Sequence, residues 1–332
     1  GFLINKFGNK KIMLMGMIGL AISGSISGLV QNNLTLYFAL FSLGIFYGFF
    51  SLSRHSFMTQ IVPSEYRGKA FSRFGGINRI GWFFGPVAGG YTAGSLGVDI
   101  PFYFISIVSI FTTLIIFFSR EPKYESSDNS ENNKSRTFKE TVLENKKIFA
   151  VGGSGHFIMQ FLRQCRHVLI PIWAFSIGLG VEELGLIQSI SAAIDMTLFY
   201  PVGLIMDKYG RKWTSVPSII LLSSGFIFIT YANSFTGLMI VGLLLGFANG
   251  LGSGAMLTLG SDLSPKNQPG SFLGIWRLFG WSGNSAGGPI SGAIAQTVGN
   301  TASALSVSMI GGIGVIIFSF FLPETLKNRS SL

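Results

Sequence analysis

Apolar residues run along this chain in long blocks, broken by short polar connections. A membrane-spanning helix needs roughly 20 mostly apolar residues. Ten blocks are candidates: roughly 12–30, 34–57, 71–95, 101–119, 148–177, 184–205, 214–231, 235–258, 271–295 and 302–322. The connections then alternate in charge. Those at 31–33, 96–100, 178–183, 232–234 and 296–301 contain no Lys or Arg, and their only charges are Asp99, Glu182 and Glu183. The intervening ones hold Lys6, Lys10, Lys11, Arg67, Lys69, Arg120, Lys123, the cluster Lys134 to Lys147, Lys208, Arg211, Lys212, Lys266, Lys327 and Arg329. Cationic residues collect on the cytoplasmic side of a membrane protein. The pattern predicts an all-α, multi-pass protein of the cell (cytoplasmic) membrane with both ends of this chain in the cytoplasm.

The polar stretch 120–147, rich in Ser, Asn and charge, predicts a flexible cytoplasmic linker. It divides residues 1–119, with four blocks, from 148–322, with six; 323–332 is a cytoplasmic tail. The two parts share a phrase. Gly1-Phe-Leu-Ile-Asn5-Lys6-Phe-Gly8-Asn9-Lys10-Lys11 returns 202 residues later as Gly203-Leu-Ile-Met-Asp207-Lys208-Tyr-Gly210-Arg211-Lys212-Trp213. A repeat of this size in an apolar chain points to two similar halves. Two blocks precede the second copy and none precedes the first. Symmetry therefore leads us to expect that two helices, about 55 residues, are missing ahead of the first copy, so that ten of twelve are present.

Composition narrows the chemistry. Hydrophobic residues make up 48% and charged residues 11%, where soluble domains carry about 25% charged. The net charge of +10 is accounted for by the loop pattern, so no nucleic-acid partner is expected. The single cysteine, Cys165, lies inside an apolar block and cannot supply a disulfide framework or a zinc site. No metal or cofactor is expected. Gly250-Leu-Gly252-Ser-Gly254 is not a phosphate loop, because no Lys-Ser/Thr follows and it lies in an apolar block. Gly242, Gly246, Gly250 and Gly254, four residues apart, predict a packing stripe on one face of helix 235–258.

The duplicated phrase resembles the loop between the second and third helices of each half in the major facilitator superfamily. Other marks agree. Pro63-Ser-Glu65-Tyr-Arg67-Gly68 resembles the loop after the fourth helix, with Pro265 and Gly270 in the matching places 202 residues on. Gly81-x-x-x-Gly85-Pro86-x-x-Gly89-Gly90 is similar to the fifth-helix motif of the family's drug and proton antiporters, although Ser72 stands where that pattern has glycine. Gly288-Pro289-x-x-Gly292 echoes it. Arg54 sits where antiporters carry a functional arginine, without the usual glutamine-glycine pair after it. Pro323-Glu324-Thr325 is a common family ending. The resemblance implies a major facilitator fold of two pseudo-symmetric bundles, acting as a monomer. It also implies an inner gate at the loop motifs, in which Asp207 and Arg211 take part with Lys6, Gly8, Gly203 and Gly210. Asn5 replaces the acid in the first copy, so that latch should be weaker. Arg54, Gly85 and Pro86 are further gating candidates. A proline such as Pro86 also kinks its helix.

Polar residues inside apolar blocks are costly and become functional candidates. His156, Gln160, Arg163 and His167 are spaced four, three and four apart, hence on one helical face; Gln164 and Arg166 widen it. A polar stripe of this kind predicts the lining of a water-filled substrate cavity. Asn78, Arg79 and Arg277 are further cavity candidates. Asp195 is the only acid within the ten blocks. Its carboxylate either couples transport to protons, with Arg163 as its partner, or forms a static ion pair with Arg163 or Arg166. The surplus of arginines calls for acids in the missing helices, which suits a cation or drug antiporter, or for negative charge on the substrate, which suits an organic-anion carrier. The leading expectation is a proton-coupled exporter of a small organic molecule. The alternatives are symport uptake of an organic anion or sugar, and a non-transporting receptor on the same fold. A membrane enzyme is not expected, since no acid lies near His156, Cys165 or His167 in sequence to complete a catalytic site.

Overall fold

A computed structural model of the chain describes residues 7–62, 66–119, 138–265, 269–322 and 324–326. All regular structure among them is helical. We label the helices α1 (Asn9–Leu29), α2 (Asn33–Ile61), α3 (Arg67–Leu96), α4 (Ile100–Phe118), α5 (Phe138–Glu144), α6 (Ser154–Ser176), α7 (Val181–Tyr209), α8 (Lys212–Ile229), α9 (Phe235–Leu251), α10 (Ala255–Leu263), α11 (Pro269–Thr297) and α12 (Asn300–Ile316). A short turn, Lys146–Ile148, and a π-helical turn, Phe149–Gly153, lead into α6; a second π-turn, Ile317–Phe321, ends α12.

Each predicted block is helical, and the starts follow from local chemistry. The Asn32 side chain accepts from the Leu34 amide (2.9 Å) to open α2, and Ser234 Oγ accepts from Gly237 N (3.2 Å) to open α9. Glu183 reaches back to Gly180 N (2.9 Å) at the head of α7. Among the described residues, seven helical spans are long and apolar enough to cross a membrane. The long helices outside that set are α3, α6 and α11, which carry the Asn78–Arg79 pair, the polar stripe and Arg277.

Two predicted elements differ. The linker 120–147 is helical over Phe138–Glu144 and again from Lys146; residues 120–137 lie outside the described part. The single helix expected over 235–258 is broken after Leu251. Gly254 turns the chain at φ 77° before α10 begins, a backbone conformation open to glycine. Gly254 is therefore a turn residue and drops out of the predicted stripe.

The chain forms two compact units: residues 1–81 with 88–131, and residues 132–332 with 82–87. In the second unit the main helix seams are α6 on α11, α7 on α9, α8 on α9 and α8 on α12. Its core joins Met159, Leu162, Ile219, Phe226, Phe272 and Trp276, all essentially inaccessible. Glycines set the closeness of these seams. A Cβ on Gly246 would strike the Ser191 carbonyl, and one on Gly283 the Phe157 carbonyl, so backbone meets backbone there. In the first unit the seams are α1 on α2 and α1 on α4, around a small core of Met13, Met17, Leu20 and Ile116.

Candidate functional site

The loop phrase is a helix-start device in both copies. Gly8 (φ 85°) precedes α1 and Gly210 (φ 109°) precedes α8, so each glycine takes a conformation that side chains disfavour. Lys10 then donates from Nζ to the carbonyls of Phe117 (3.1 Å) and Ser119 (2.6 Å). Lys212 does the same to Ser319 (3.2 Å). Both lysines thus hold the C-terminal end of their unit's last helix, where unbonded carbonyls favour a cation. Gly203, the first residue of the second copy, lies within α7 with open space beside it. Lys6 falls outside the described residues.

Arg211 finds its partner on α10 rather than on α7. Arg211 Nε bonds Asp262 Oδ2 at 2.8 Å, not Asp207. Asp207 is exposed near the end of α7. Arg211 also donates from Nη1 to the Met206 carbonyl (2.9 Å), and Thr325 Oγ1 donates to the same Asp262 oxygen (2.7 Å). The Glu324 carboxylate sits over the start of α8. Its Oε1 accepts from Arg211 N (3.0 Å), Thr325 N (2.9 Å) and Leu326 N (3.0 Å), and its Oε2 from Lys212 N (3.1 Å). A Cβ at Gly210 would collide with that carboxylate. Partial burial pushes the Glu324 carboxyl up, but these backbone N–H bonds outweigh it and leave the group below its ordinary value. Asp262 and Glu324 were missed as a clasp on Arg211, although Pro323-Glu324-Thr325 stood out as an ending.

The polar stripe of α6 divides in two. Gln160, Arg163, Gln164 and His167 lie on its less buried face. His156 does not line a cavity with them. It is 6% exposed, its ring packs on Trp276 at 5.3 Å, its Nδ1 lies 3.0 Å from the Trp276 carbonyl, and Gly280 makes room for it. Arg163 donates to Gln160 Oε1 (3.3 Å) and to the Asn249 carbonyl (3.3 Å). The break after α9 leaves that carbonyl outside a regular helical ladder, and a charged donor satisfies it. Arg166, 8% exposed, donates to the Leu245 carbonyl (3.3 Å) and feels the charge of Asp195. Asp195 Oδ1 is buried without a hydrogen-bond partner. α6, α7 and the end of α9 therefore bring Gln160, Arg163, Arg166 and Asp195 into one polar group.

Arg277 is exposed on α11 and Asn78 on α3, while Arg79 is half-buried. Arg54 stacks its guanidinium over Phe50 (5.0 Å) and Phe74 (4.4 Å), a cation–π arrangement. Gly85 and Pro86 lie inside α3, and Gly85 faces open space. Among the described residues no cluster of His, Cys, Asp and Glu could hold a metal ion.

Comparison with known proteins gives a consistent answer. The profile of the Major Facilitator Superfamily matches residues 1–164 and again 152–332. The class H tetracycline resistance protein of Pasteurella multocida is 24% identical over 82% of this chain and 69% of its own length. The multidrug resistance protein MdtG of Escherichia coli O9:H4 is 25% identical over 96% of this chain and 78% of its own. Across such relatives the chain spans from 54% to 84% of their length. A crystal structure of a POT family transporter in complex with 5-aminolevulinic acid superposes with a TM-score of 0.74 at 13% identity, over 96% of this chain and 82% of that one.

Proposed function

Because the chain belongs to the Major Facilitator Superfamily, we propose that it serves in a secondary active transporter that exports a small organic molecule in exchange for protons. Alternating access between its two units would carry the substrate across the cytoplasmic membrane, with both ends of this chain inside the cell. The observation that carries the coupling is Asp195. One of its oxygens is buried without a hydrogen-bond partner, and Arg166 is near enough to act on its charge. The Arg166–Asp195 pairing would be made in one state of the transport cycle and broken in the other. Gln160, Arg163, Gln164 and His167 form the polar face that would meet the substrate on the second unit, with Arg277 a further candidate there and Asn78 and Arg79 the candidates of the first unit. The relatives' names, one for tetracycline resistance and one for multidrug resistance, support export.

The Arg211–Asp262 pair would act as the inner gate, with Glu324 holding the helix start beneath it and Asp207 nearby. Gly8, Gly203, Gly210, Arg54, Gly85, Pro86 and Lys6 would shape or flank the moving elements. The arginines favour a second reading, uptake of an organic anion, in which the substrate itself supplies the negative charge to Arg163.

The test uses the whole gene product in vesicles, with tetracycline as the probe and pH gradients of either sign. Export predicts tetracycline accumulation driven by protons moving the opposite way. Asp195→Asn abolishes the driven movement and leaves tetracycline exchange intact. Proton-driven pumping unchanged in Asp195→Asn removes Asp195 from the mechanism. Movement of an organic anion together with protons favours the second reading.

A further inference from the structure

Two grooves run along one side of α1. Lys11, Met15, Ile18 and Ile22 are spaced four, three and four along the helix, so they share a face, and all four are exposed. A groove of about 460 Å³ follows this face from Lys11 to Ile22, with Phe46 of α2 as its far wall. Gly19 lets that ring lie against the α1 backbone, since a Cβ there would strike it. A second groove, of about 440 Å³, lies between α1 and α4. It runs from Ile18 to Leu29 against Ile110 and Leu114.

Charge distinguishes the two grooves. Among all the residues that line them, only Lys11 is charged, and it lines only the α1–α2 groove. α1, α2 and α4 contain no Asp or Glu. The neighbouring Lys10 is committed to the carbonyls of Phe117 and Ser119. Lys11 has no hydrogen-bonding or ionic partner among the described residues. A lysine can lay its stem along apolar surface and hold its ammonium at the level of lipid phosphates.

The same side is open in the second unit. At the 202-residue offset of the duplicated phrase, Ile18, Ile26 and Leu29 correspond to Ile220, Phe228 and Tyr231 of α8. These are exposed even though α6, α7, α9 and α12 all pack on α8. The side is therefore one that meets lipid rather than protein. Its basic end is particular to the first unit, because Trp213 stands where α1 has Lys11. The length fits as well. The rise from Lys11 to Ile22 is about 16 Å, close to half of the roughly 30 Å hydrocarbon core.

We propose that the α1–α2 groove binds one anionic phospholipid. An acyl chain lies between α1 and Phe46 and ends near the bilayer midplane, and the headgroup phosphate pairs with Lys11. No acid lines the groove to receive the cation of a zwitterionic headgroup, so a net negative headgroup is favoured. The α1–α4 groove takes acyl chains without selecting a headgroup. In the topology proposed above, the site belongs to the cytoplasmic leaflet. The inference holds whether the protein exports or takes up its substrate.

The experiment places the photo-cross-linker p-benzoylphenylalanine at Met15, which lines the α1–α2 groove, or at Ile26, which lines the α1–α4 groove. The whole gene product is reconstituted in vesicles of equal parts phosphatidylglycerol and phosphatidylcholine and irradiated, and its lipid adducts are weighed by mass spectrometry. At Met15 phosphatidylglycerol should exceed phosphatidylcholine about fivefold, as one lysine beside an anionic lipid allows. At Ile26 the two should be equal. Lys11→Gln should bring the Met15 ratio down to that at Ile26, and Lys11→Arg should keep it high. A ratio of adducts does not change with the amount of protein that folds. A Met15 ratio equal to that at Ile26, a ratio unmoved by Lys11→Gln, or adducts to protein in place of lipid would overturn the proposal.

Discussion

Removing the Glu324 carboxylate tests whether the segment after α12 clasps the start of α8. Glu324→Ala deletes the acceptor of four backbone N–H groups, two of them the Arg211 and Lys212 amides. A net hydrogen bond is worth about 0.5–1.5 kcal/mol, and an acid beside a helix N-terminus adds about 0.3–1 kcal/mol. These amides can rebond to water and the site is largely exposed, so screening reduces the total. We expect a loss of about 1 kcal/mol of local closure, or roughly five-fold faster opening. Hydrogen exchange at the Arg211 and Lys212 amides reads this directly, because those protons are the ones Glu324 holds. The pH dependence has a definite sign. The folded carboxyl lies below its ordinary value, so its contribution is complete above the unfolded glutamate range, about 4.3, and is lost as pH falls through the lowered folded value. After correction for intrinsic rates, protection at both amides should be flat near neutrality and fall in acid. Glu324→Ala should remove that acid step. Unchanged protection in Glu324→Ala, or protection lost as pH rises, would refute the clasp.

Three further outcomes follow from the packing and polar contacts. Arg211→Ala and Asp262→Ala should be non-additive, with a coupling of about 0.5–1 kcal/mol in a double-mutant cycle on thermal unfolding; a coupling of zero removes the pair from the latch. Lys10→Met and Lys212→Met should each lower stability slightly, by about 0.3–1 kcal/mol, and increase exchange at the end of the corresponding last helix; an effect in only one unit would break the equivalence. Gly246→Leu should drive a side chain into the Ser191 backbone and cost about 1–3 kcal/mol or more, seen as a lower melting temperature, whereas Gly312→Leu should be neutral.

Much of the architecture was legible in the sequence because a membrane segment is read by length and apolarity, and a helical face by spacing. The ten blocks are helical, 235–258 with a break after Leu251, and seven spans among the described residues are long and apolar enough to cross a membrane. The repeat of Gly8 and Gly210 marks two equivalent helix starts, and Gln160, Arg163, Gln164 and His167 share a face as their spacing requires. Gly246 and Gly250 are contact points of the kind the glycine stripe implied.

Tertiary structure decided what covers each face, which spacing along one helix does not encode. Arg211 takes Asp262, 51 residues on, rather than nearby Asp207, because the packed fold sets the end of α10 beside the start of α8. His156 belongs to the same periodic stripe as Arg163, yet Gly280 admits its ring against Trp276 and the seam closes over it. Gly254 continues the four-residue spacing, but its positive φ makes it a turn, and that break frees the Asn249 carbonyl for Arg163. The sequence by itself determined the helices, their repeat and their polar faces, all set by local propensity and solvent preference. The partners across those faces come from residues distant along the chain, and only the packed fold selects among them.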